Sequence, residues 1–591
     1  MNSTKYIALN IPSSLADSTV KSRRSLWRWW NQLSRFQRSL FYVGFTSILL
    51  MLIYFWPVLE QRRDNISKIA LESTPAMQQL PEESALKAAA AEPFGANKVE
   101  QQGEAAYDAE NEIKQPAAAN EAQQVEEPIS QKAVRFKGPK NERQKAVAAA
   151  MQHAWKGYKK YAWGHDHLKP LSGAYHDWFY LGLTIVDSID TLYIMNLKKE
   201  YLEAKDWVEK SLRFDKNRDV NLFEVTIRVL GGMLSAYHLT GDKIFLGKAM
   251  DLGERLLPCF DSPSGVPFSD VNLGNHKAHS PKWSPDSSTS EVTTIQLEFR
   301  DLTYSTGDSR FEEAVNKVSE HIHVLPKTEG LVPIFINANT GQFRVFSTIT
   351  LGARGDSYYE YLLKQWIQTG KKIEYLREDY IEAIQGVQKL LVKRTSKSGL
   401  LFIGELQSGA RDFKPKMDHL TCYLPGTLAL GVHNGMPQDH MKLAEDLLWT
   451  CYQTYAQTPT FLAPEITYFQ IQDANAADMY IKTNDAHNLL RPEFIESLWY
   501  MYQFTGNKTY QDWGWTIFQA FEKYTKVTNG YTSINNVKAP ANVKPKDMME
   551  SFFLSETLKY FYLLFSDNPK LIDLDEYVFN SEAHPLPISK G

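Results

Sequence analysis

Leu351-Gly-Ala-Arg354-Gly-Asp356-Ser-Tyr-Tyr-Glu360-Tyr-Leu-Leu-Lys-Gln-Trp366-Ile-Gln-Thr369-Gly370 reads as a helix with a carboxylate at its entrance and a glycine at its exit. Asp356 and Ser357 are N-cap types, aromatic and aliphatic residues follow at helical spacing, and Thr369-Gly370 ends the pattern where a left-handed residue costs least. A second helical pattern, Ile373 to Val392, starts at once. The same helix, turn, helix unit recurs from about residue 140 onward. Thr240-Gly241, Thr306-Gly307, Thr369-Gly370 and Thr505-Gly506 all lie between helical patterns, with glycines 66, 63 and 136 residues apart. The long gap holds another turn at Asn434-Gly435, and further turns fit near Asn196 and at Ser566-Asp567-Asn568-Pro569. The count is seven helical hairpins.

A tandem of hairpins forms an open solenoid or closes into a ring. Trp178 to Met195, Phe223 to Leu239, Val292 to Thr303 and Phe552 to Phe565 are apolar nearly all round, which implies burial on both sides. Lys198 to Phe214 and Arg310 to His323 are amphipathic. The pattern therefore predicts an all-α fold, an (α/α)7 barrel with inner and outer helices; a multi-helix solenoid is the alternative.

Upstream the composition changes. Leu40 to Leu59 is a run of twenty uncharged, mostly apolar residues, long enough at helical rise for one bilayer crossing of about 30 Å. Lys21, Arg23, Arg24, Arg28, Arg35 and Arg38 precede it without a nearby acid, which orients the chain with residues 1–39 cytosolic and the bulk lumenal. Residues 60–138, rich in Ala, Glu and Gln, cannot bury enough apolar surface to order themselves and read as a disordered stem. Residues 139–591 form one large domain. A net charge of −4 and the lack of a Gly-rich phosphate loop exclude a strongly basic nucleic-acid binder.

All three cysteines fall in this domain. Cys422 and Cys451 flank the Asn434-Gly435 turn at similar distances, so an antiparallel hairpin brings them opposite each other. They are either a disulfide, permitted in a lumenal compartment and contributing about 3 kcal/mol, or two reduced core thiols. Cys259 reads as a free buried thiol. Asn507-Lys-Thr509 and Asn65-Ile-Ser67 are glycosylation sequons.

Aligning the hairpins on their turns places Glu224, Glu291, Asp356, His419, Glu493 and Glu556 near the start of the first helix of successive units. In a closed ring these starts share one rim and surround one opening. Capping and the helix dipole favour acids at such positions anyway. However, Phe223-Glu224-Val225 and Pro492-Glu493-Phe494 set carboxylates inside apolar segments, where they are costly unless a cation, water or substrate fills the space. Carboxylates around an aromatic-lined cavity suit glycoside hydrolysis: one acid protonates the leaving oxygen, another carboxylate activates water, and ring faces stack on sugars. The same oxygens suit Ca²⁺. No Cys/His spacing points to zinc, and no G-x-S-x-G to a serine hydrolase.

Five stretches carry a resemblance to a known family: Phe223-Glu224-Val-Thr-Ile-Arg228, Gly-Ala-Arg354-Gly-Asp356-Ser-Tyr-Tyr, Leu490-Arg491-Pro492-Glu493, Met549-Glu-Ser-Phe552-Phe-Leu-Ser-Glu556 and Phe579-Asn-Ser581-Glu582-Ala-His584-Pro. Together they resemble the class I α-1,2-mannosidases, glycoside hydrolase family 47, over residues 140 to 587. That resemblance implies a seven-hairpin barrel and an inverting, Ca²⁺-dependent hydrolase of terminal α-1,2-mannose on high-mannose N-glycans of glycoproteins. It makes Glu224 the general acid, acting through a water, Glu493 the general base and Asp356 the third essential carboxylate. It places Phe552 under the terminal mannose and Glu291, His419, Arg491, Glu556 and Glu582 around the bottom of the site; the residues themselves read Arg354 as a fork for glycan hydroxyls and Arg228, one turn after Glu224, as tuning that acid, with a structural ion pair as the alternative for each. Ser581 stands where the family usually has Thr, a metal ligand through its carbonyl and hydroxyl; Ser keeps both oxygens and loses the β-methyl that stiffens χ1. Gly-Ala-Arg354 and Cys422-Tyr-Leu-Pro resemble the endoplasmic-reticulum branch, a type II membrane protein of the early secretory pathway. A mannose-binding quality-control factor of the same fold is the rival reading.

Overall fold

The computed structural model describes residues 133–282 and 284–590. The anchor expected at Leu40–Leu59, the cytosolic tail and the stem up to residue 132 lie outside the described residues. Among the described residues no helix is long and apolar enough to cross a membrane.

Seven inner helices close into a ring: Leu183–Ile194, Gly231–Thr240, Gln296–Thr306, Asp356–Gln368, Leu424–His433, Glu493–Thr505 and Leu558–Leu564. Each packs on its neighbours, and the turn Phe553–Thr557 that leads into the last of them returns to Leu183–Ile194. The inner helices are buried all round. Every residue from Ser357 to Gln368 is buried, including Glu360 and Lys364. Outer helices bury one stripe only, as Ser309–Val324 does with Phe311, Val315, Val318 and Ile322. This contrast was readable from hydrophobic periodicity, because an inner helix meets protein on both sides and an outer one meets it on one. Four of the turns end their helices with a left-handed glycine, Gly241, Gly307, Gly370 and Gly506.

Two sequence expectations need correction here. The turn at Ser566–Pro569 does not lead into an outer helix. The last inner helix packs instead against the first helix of the domain, Glu142–Tyr161, through Gln144 Nε2 donating to Tyr562 O and Asn141 Nδ2 to Phe565 O. The seventh hairpin is therefore made from the two ends of the domain, a non-local pairing that no turn signal marks. Asp356 is also not an N-cap; it is the first helical residue after Gly355, and its Oδ1 accepts from Ser357 N.

Inner-helix boundaries shift for identifiable reasons. The segment Trp178 to Gly182 is a non-helical turn wrapped on buried Asp166, whose carboxylate accepts from the amides of Trp178, Phe179, Tyr180, Leu181 and Leu183. The expected helix Val292 to Thr303 is broken into Thr289–Thr293 and Gln296–Thr306. The Gln296 side chain spans the break, accepting from Ile295 N and donating to Val292 O. Leu222–Val225 continues through a π-helical turn, Thr226–Leu230, into Gly231–Thr240.

Beyond Ser566 the chain enters the ring. The antiparallel strands Tyr577–Phe579 and Pro585–Pro587 pack against Gly231–Thr240, Gln296–Thr306 and Asp356–Gln368, and so plug the barrel from one end. Their connection, residues 580 to 584, forms the floor of what remains open. Cys422 and Cys451 are bridged, with Cα atoms 6.0 Å apart, and tie the turn His419–Tyr423 that leads into the fifth inner helix to the outer helix Asp439–Ala456. Cys259 is free and buried, as expected.

Candidate active site

Short local devices aim the acids inward. Asn221 caps the helix that carries Glu224, accepting from Glu224 N at 2.9 Å, and its Nδ2 donates to Glu291 Oε2 at 3.2 Å. One residue thus fixes two carboxylates. Arg228 lies in the π turn and donates from Nε to Glu224 Oε2 at 2.9 Å, while its Nη1 pairs with Glu582 from the floor. π turns recur at functional sites because the extra residue re-aims side chains; Glu556 lies in another, Phe553–Thr557.

These residues surround a cavity of about 260 Å³. Its wall includes Glu224, Arg228, Glu291, Arg354, Asp356, Arg491, Glu493, Phe552, Glu556, Ser581 and Glu582. His419 is not on the wall. It is buried behind Glu493, with Nδ1 2.9 Å from Glu493 Oε2 and Nε2 2.7 Å from the Tyr455 hydroxyl. The histidine expected to face substrate therefore orients an acid instead. Arg491 clamps Glu465 through Nε and Nη2, at 2.6–2.9 Å, and stands 3.9 Å from Glu493 Oε1. The guanidiniums of Arg228 and Arg491 lie 5.8 and 5.9 Å from the centre of the Phe552 ring, so cations steady this aromatic face, which shares the wall with Phe223 and Tyr423. Arg354 takes a left-handed φ of 73° with its guanidinium 5.4 Å from the Phe335 ring centre, and its carbonyl accepts from Ser290 N.

Two further wall acids, Glu360 and Glu496, went unnoticed in the sequence. Both pair with fully buried Lys364, Glu360 closely and Glu496 at 3.6 Å. A signal existed: Glu360 is four residues after Asp356 and Glu496 three after Glu493, the spacings that share a helix face. Glu465, outside any helix and far from the motifs, had none.

The wall thus carries eight carboxylates against Arg228, Arg354 and Arg491. Burial pushes the Asp356 carboxyl up to about 7, with Glu360 and Glu493 adding repulsion. It pushes Glu496 up to about 8 against the opposing pull of Lys364. Glu556 is raised by burial and by the neighbouring charge of Glu582, and burial raises Glu291. Such groups hold protons near neutrality and can give them up.

Ser581 sits at the tip of the C-terminal hairpin. Asn580 Nδ2 donates to Ile227 O and Glu298 Oε1, Ser581 N donates to the Tyr361 hydroxyl, and that hydroxyl donates to Glu298 Oε1. Beneath it, Lys559 Nζ binds Asp190 Oδ2 and Ala583 O, and His584 Nδ1 lies 2.8 Å from Asp190 Oδ2. A closed pocket with paired acids, fixed guanidiniums and a cation-steadied aromatic face can protonate a glycosidic oxygen and activate water beside a single sugar ring.

Residues 150–588 match the family model described as glycosyl hydrolase family 47. The endoplasmic reticulum mannosyl-oligosaccharide 1,2-α-mannosidase of Rattus norvegicus is 48% identical over 640 residues, covering 98% of this chain and 97% of the rat protein. The Homo sapiens protein of the same name is 57% identical over 451 residues, covering 76% and 64%. Among solved structures, an α-1,2-mannosidase from Trichoderma reesei superposes with a TM-score of 0.71 at 26% identity, covering 76% of this chain and all of that one. With the match running through the ring, the acids and the floor, this chain belongs to glycosyl hydrolase family 47.

Proposed function

We propose that this protein is a mannosyl-oligosaccharide 1,2-α-mannosidase that removes a terminal α-1,2-linked mannose from high-mannose N-glycans of glycoproteins, taking nine mannoses to eight with inversion and with Ca²⁺ bound. The observation that carries it is the closed pocket: the C-terminal hairpin blocks the barrel beneath the acids, so a glycan enters only by its end. An exo-acting hydrolase needs that shape. The names of the rat and human relatives support the linkage and the substrate.

Glu493 is assigned as the base. His419 and Arg491 hold its two oxygens, which fixes the direction in which it takes a proton from water. Glu224, oriented by Arg228, hands a proton to the leaving oxygen through a water. Asp356, raised to about 7 by burial, is the third acid of the wall and can hold a proton near neutrality. Phe552 offers its face to the sugar ring, and Arg354 at the mouth offers a fork suited to hydroxyls of the remaining branches.

The residues fit a hard cation. Ser581 offers hydroxyl and carbonyl oxygens, Glu582 Oε2 is buried with no hydrogen-bond partner among the described residues, and wall acids outnumber cations. Among the described residues no three His, Cys, Asp or Glu side chains group closely enough to hold an ion themselves, so water and substrate oxygens would complete the shell around Ser581. When bound, Ca²⁺ supplies a fixed positive charge that orders sugar hydroxyls. The apolar run Leu40–Leu59, the disulfide and the relatives' names support a type II protein of the endoplasmic reticulum or early Golgi, with this domain lumenal.

The test is to incubate the purified full-length protein with free nine-mannose glycan, with and without a chelator, and to identify the product. Loss of one mannose, blocked by chelator and restored by Ca²⁺, is expected. Binding without turnover at saturating Ca²⁺ would replace the hydrolase with a lectin-like quality-control factor.

A further inference from the structure

Asn507-Lys508-Thr509 is the only N-x-Ser/Thr sequon among the described residues, and it occupies the exposed turn between Glu493–Thr505 and Thr509–Tyr524. The inner helix begins at Glu493 in the cavity wall and runs 13 residues, a rise of about 20 Å, so Asn507 lies at the opposite end of the ring. The turn itself is compatible with a bulky substituent: Asn507 Oδ1 accepts from Thr509 N at 3.0 Å, and every residue from Thr505 to Thr509 is exposed.

A run of aromatic rings starts at this turn. Tyr510 lies against the Asn507 side chain, its ring centre 5.6 Å from that of Trp513. Trp513 stacks on Tyr452 of the neighbouring outer helix at 4.1 Å and 13°, and both meet Trp449 at 5.7 Å. Trp449 is 46% exposed, which is unusual for so large an apolar side chain, and nothing in the catalytic reading uses it. Stacked rings with an open face match the apolar faces of sugars.

We propose that Asn507 carries an N-linked oligosaccharide whose first sugars pass over buried Tyr510 and pack on the exposed Trp449 and the half-buried edges of Trp513 and Tyr452. In forming it, the Asn507 amide nitrogen loses a proton and bonds to the anomeric carbon of a lipid-diphosphate-linked oligosaccharide, and the lipid diphosphate leaves. The modification rests on the lumenal placement argued above. At the far end of the barrel the glycan leaves the cavity mouth clear.

The test expresses the full-length Asn65→Gln protein and its Asn65→Gln/Asn507→Gln counterpart in eukaryotic cells and compares their mass before and after enzymatic release of N-glycans. One glycan on the first and none on the second is expected. A Cys422–Cys451 bridge with unmodified Asn507 would overturn the glycan while leaving the lumenal placement intact; neither bridge nor glycan would overturn both. Thermal melts of the glycosylated protein before and after release test the packing. Release should lower the midpoint by about 2 °C, and by less than half as much in the Trp449→Ala variant. An equal loss in both would overturn the aromatic bed.

Discussion

The cavity wall and the cluster beneath its floor use the same residue types to opposite ends. Under the floor, Asp190 is fully buried but touches Lys559, His584 and the Ser235 hydroxyl, and Lys559 and His584 hold its carboxyl well below the usual range against the cost of burial. Above the floor, in the cavity wall, Glu496 and Glu556 are also buried and Asp356 partly so, and burial pushes all three up with too few cations nearby to offset it. Burial does not decide what a carboxylate does; the number of cations buried with it does. The chain balances its own charge where it needs rigidity and leaves charge unbalanced where something else must enter.

The comparison breaks most directly at Glu493 in the wall. The substitution Glu493→Gln keeps shape and both neighbours but removes the base, so turnover should fall about a thousandfold while glycan binding persists. Single-turnover rates beside equilibrium binding check it. Loss of binding without loss of rate would remove Glu493 from the chemistry.

Next in size is a change under the floor. Lys559→Met leaves Asp190 without its ammonium partner in a fully buried site and frees Ala583 O, and breaking such a pair costs about 3 kcal/mol. Denaturant unfolding should show the loss. Since the same lysine holds residue 583, Ca²⁺ affinity at Ser581 should weaken as well. An unchanged midpoint would mean that the cluster is not what secures the hairpin.

Titration separates the two regions more gently. Asp356 and Glu496 hold protons in the folded protein up to about pH 7 and 8, whereas unfolded carboxyls release theirs near 4. Between those limits the folded state binds more protons, so the metal-free protein should lose stability as pH rises from about 4.5 to 8. Asp190 behaves oppositely: its contribution is complete above about 4 and is lost only below that. Chelated protein should therefore melt several degrees lower at pH 8 than at pH 5.5, and added Ca²⁺ should recover most of the difference. Equal melting at both values would show that the wall acids are balanced within the chain.

Much of this was legible in the sequence, and what was not shares a cause. Thr-Gly turns and all-round apolar helices are local signals, so the ring and the convergence of Glu224, Glu291, Asp356, Glu493 and Glu556 could be read by aligning repeats. The break bridged by Gln296, the π turn that aims Arg228 and the Asp166 turn depend on which buried groups find partners after packing. Glu142–Tyr161 completing the seventh hairpin is a pairing between chain ends. His419 was placed at the right helix start but one layer too far in, because repeat alignment gives height along the ring and not depth from the cavity. Glu465 carries no local signature; only Arg491 reveals it.

The smallest effect expected is also the one with an unusual sign. Glu556 and Glu582 face each other in the wall and repel as carboxylates, so burial and this repulsion raise Glu556, and Glu582 also faces Arg228. Glu556→Gln keeps a donor toward Glu582 while removing one ionisable acid from an overcharged wall. Metal-free protein at pH 8 should then gain about 1 kcal/mol in stability, although removing a buried polar partner ordinarily destabilises. The gain should vanish at pH 5, where the proton that burial makes the wild-type Glu556 take up on folding costs little, and it should turn into a loss once Ca²⁺ is present, because the ion then misses a charge. Chemical denaturation at two pH values with and without Ca²⁺ tests all three arms. Destabilisation of the metal-free protein at pH 8 would place Glu556 with the balanced acids under the floor and not with the open wall above it.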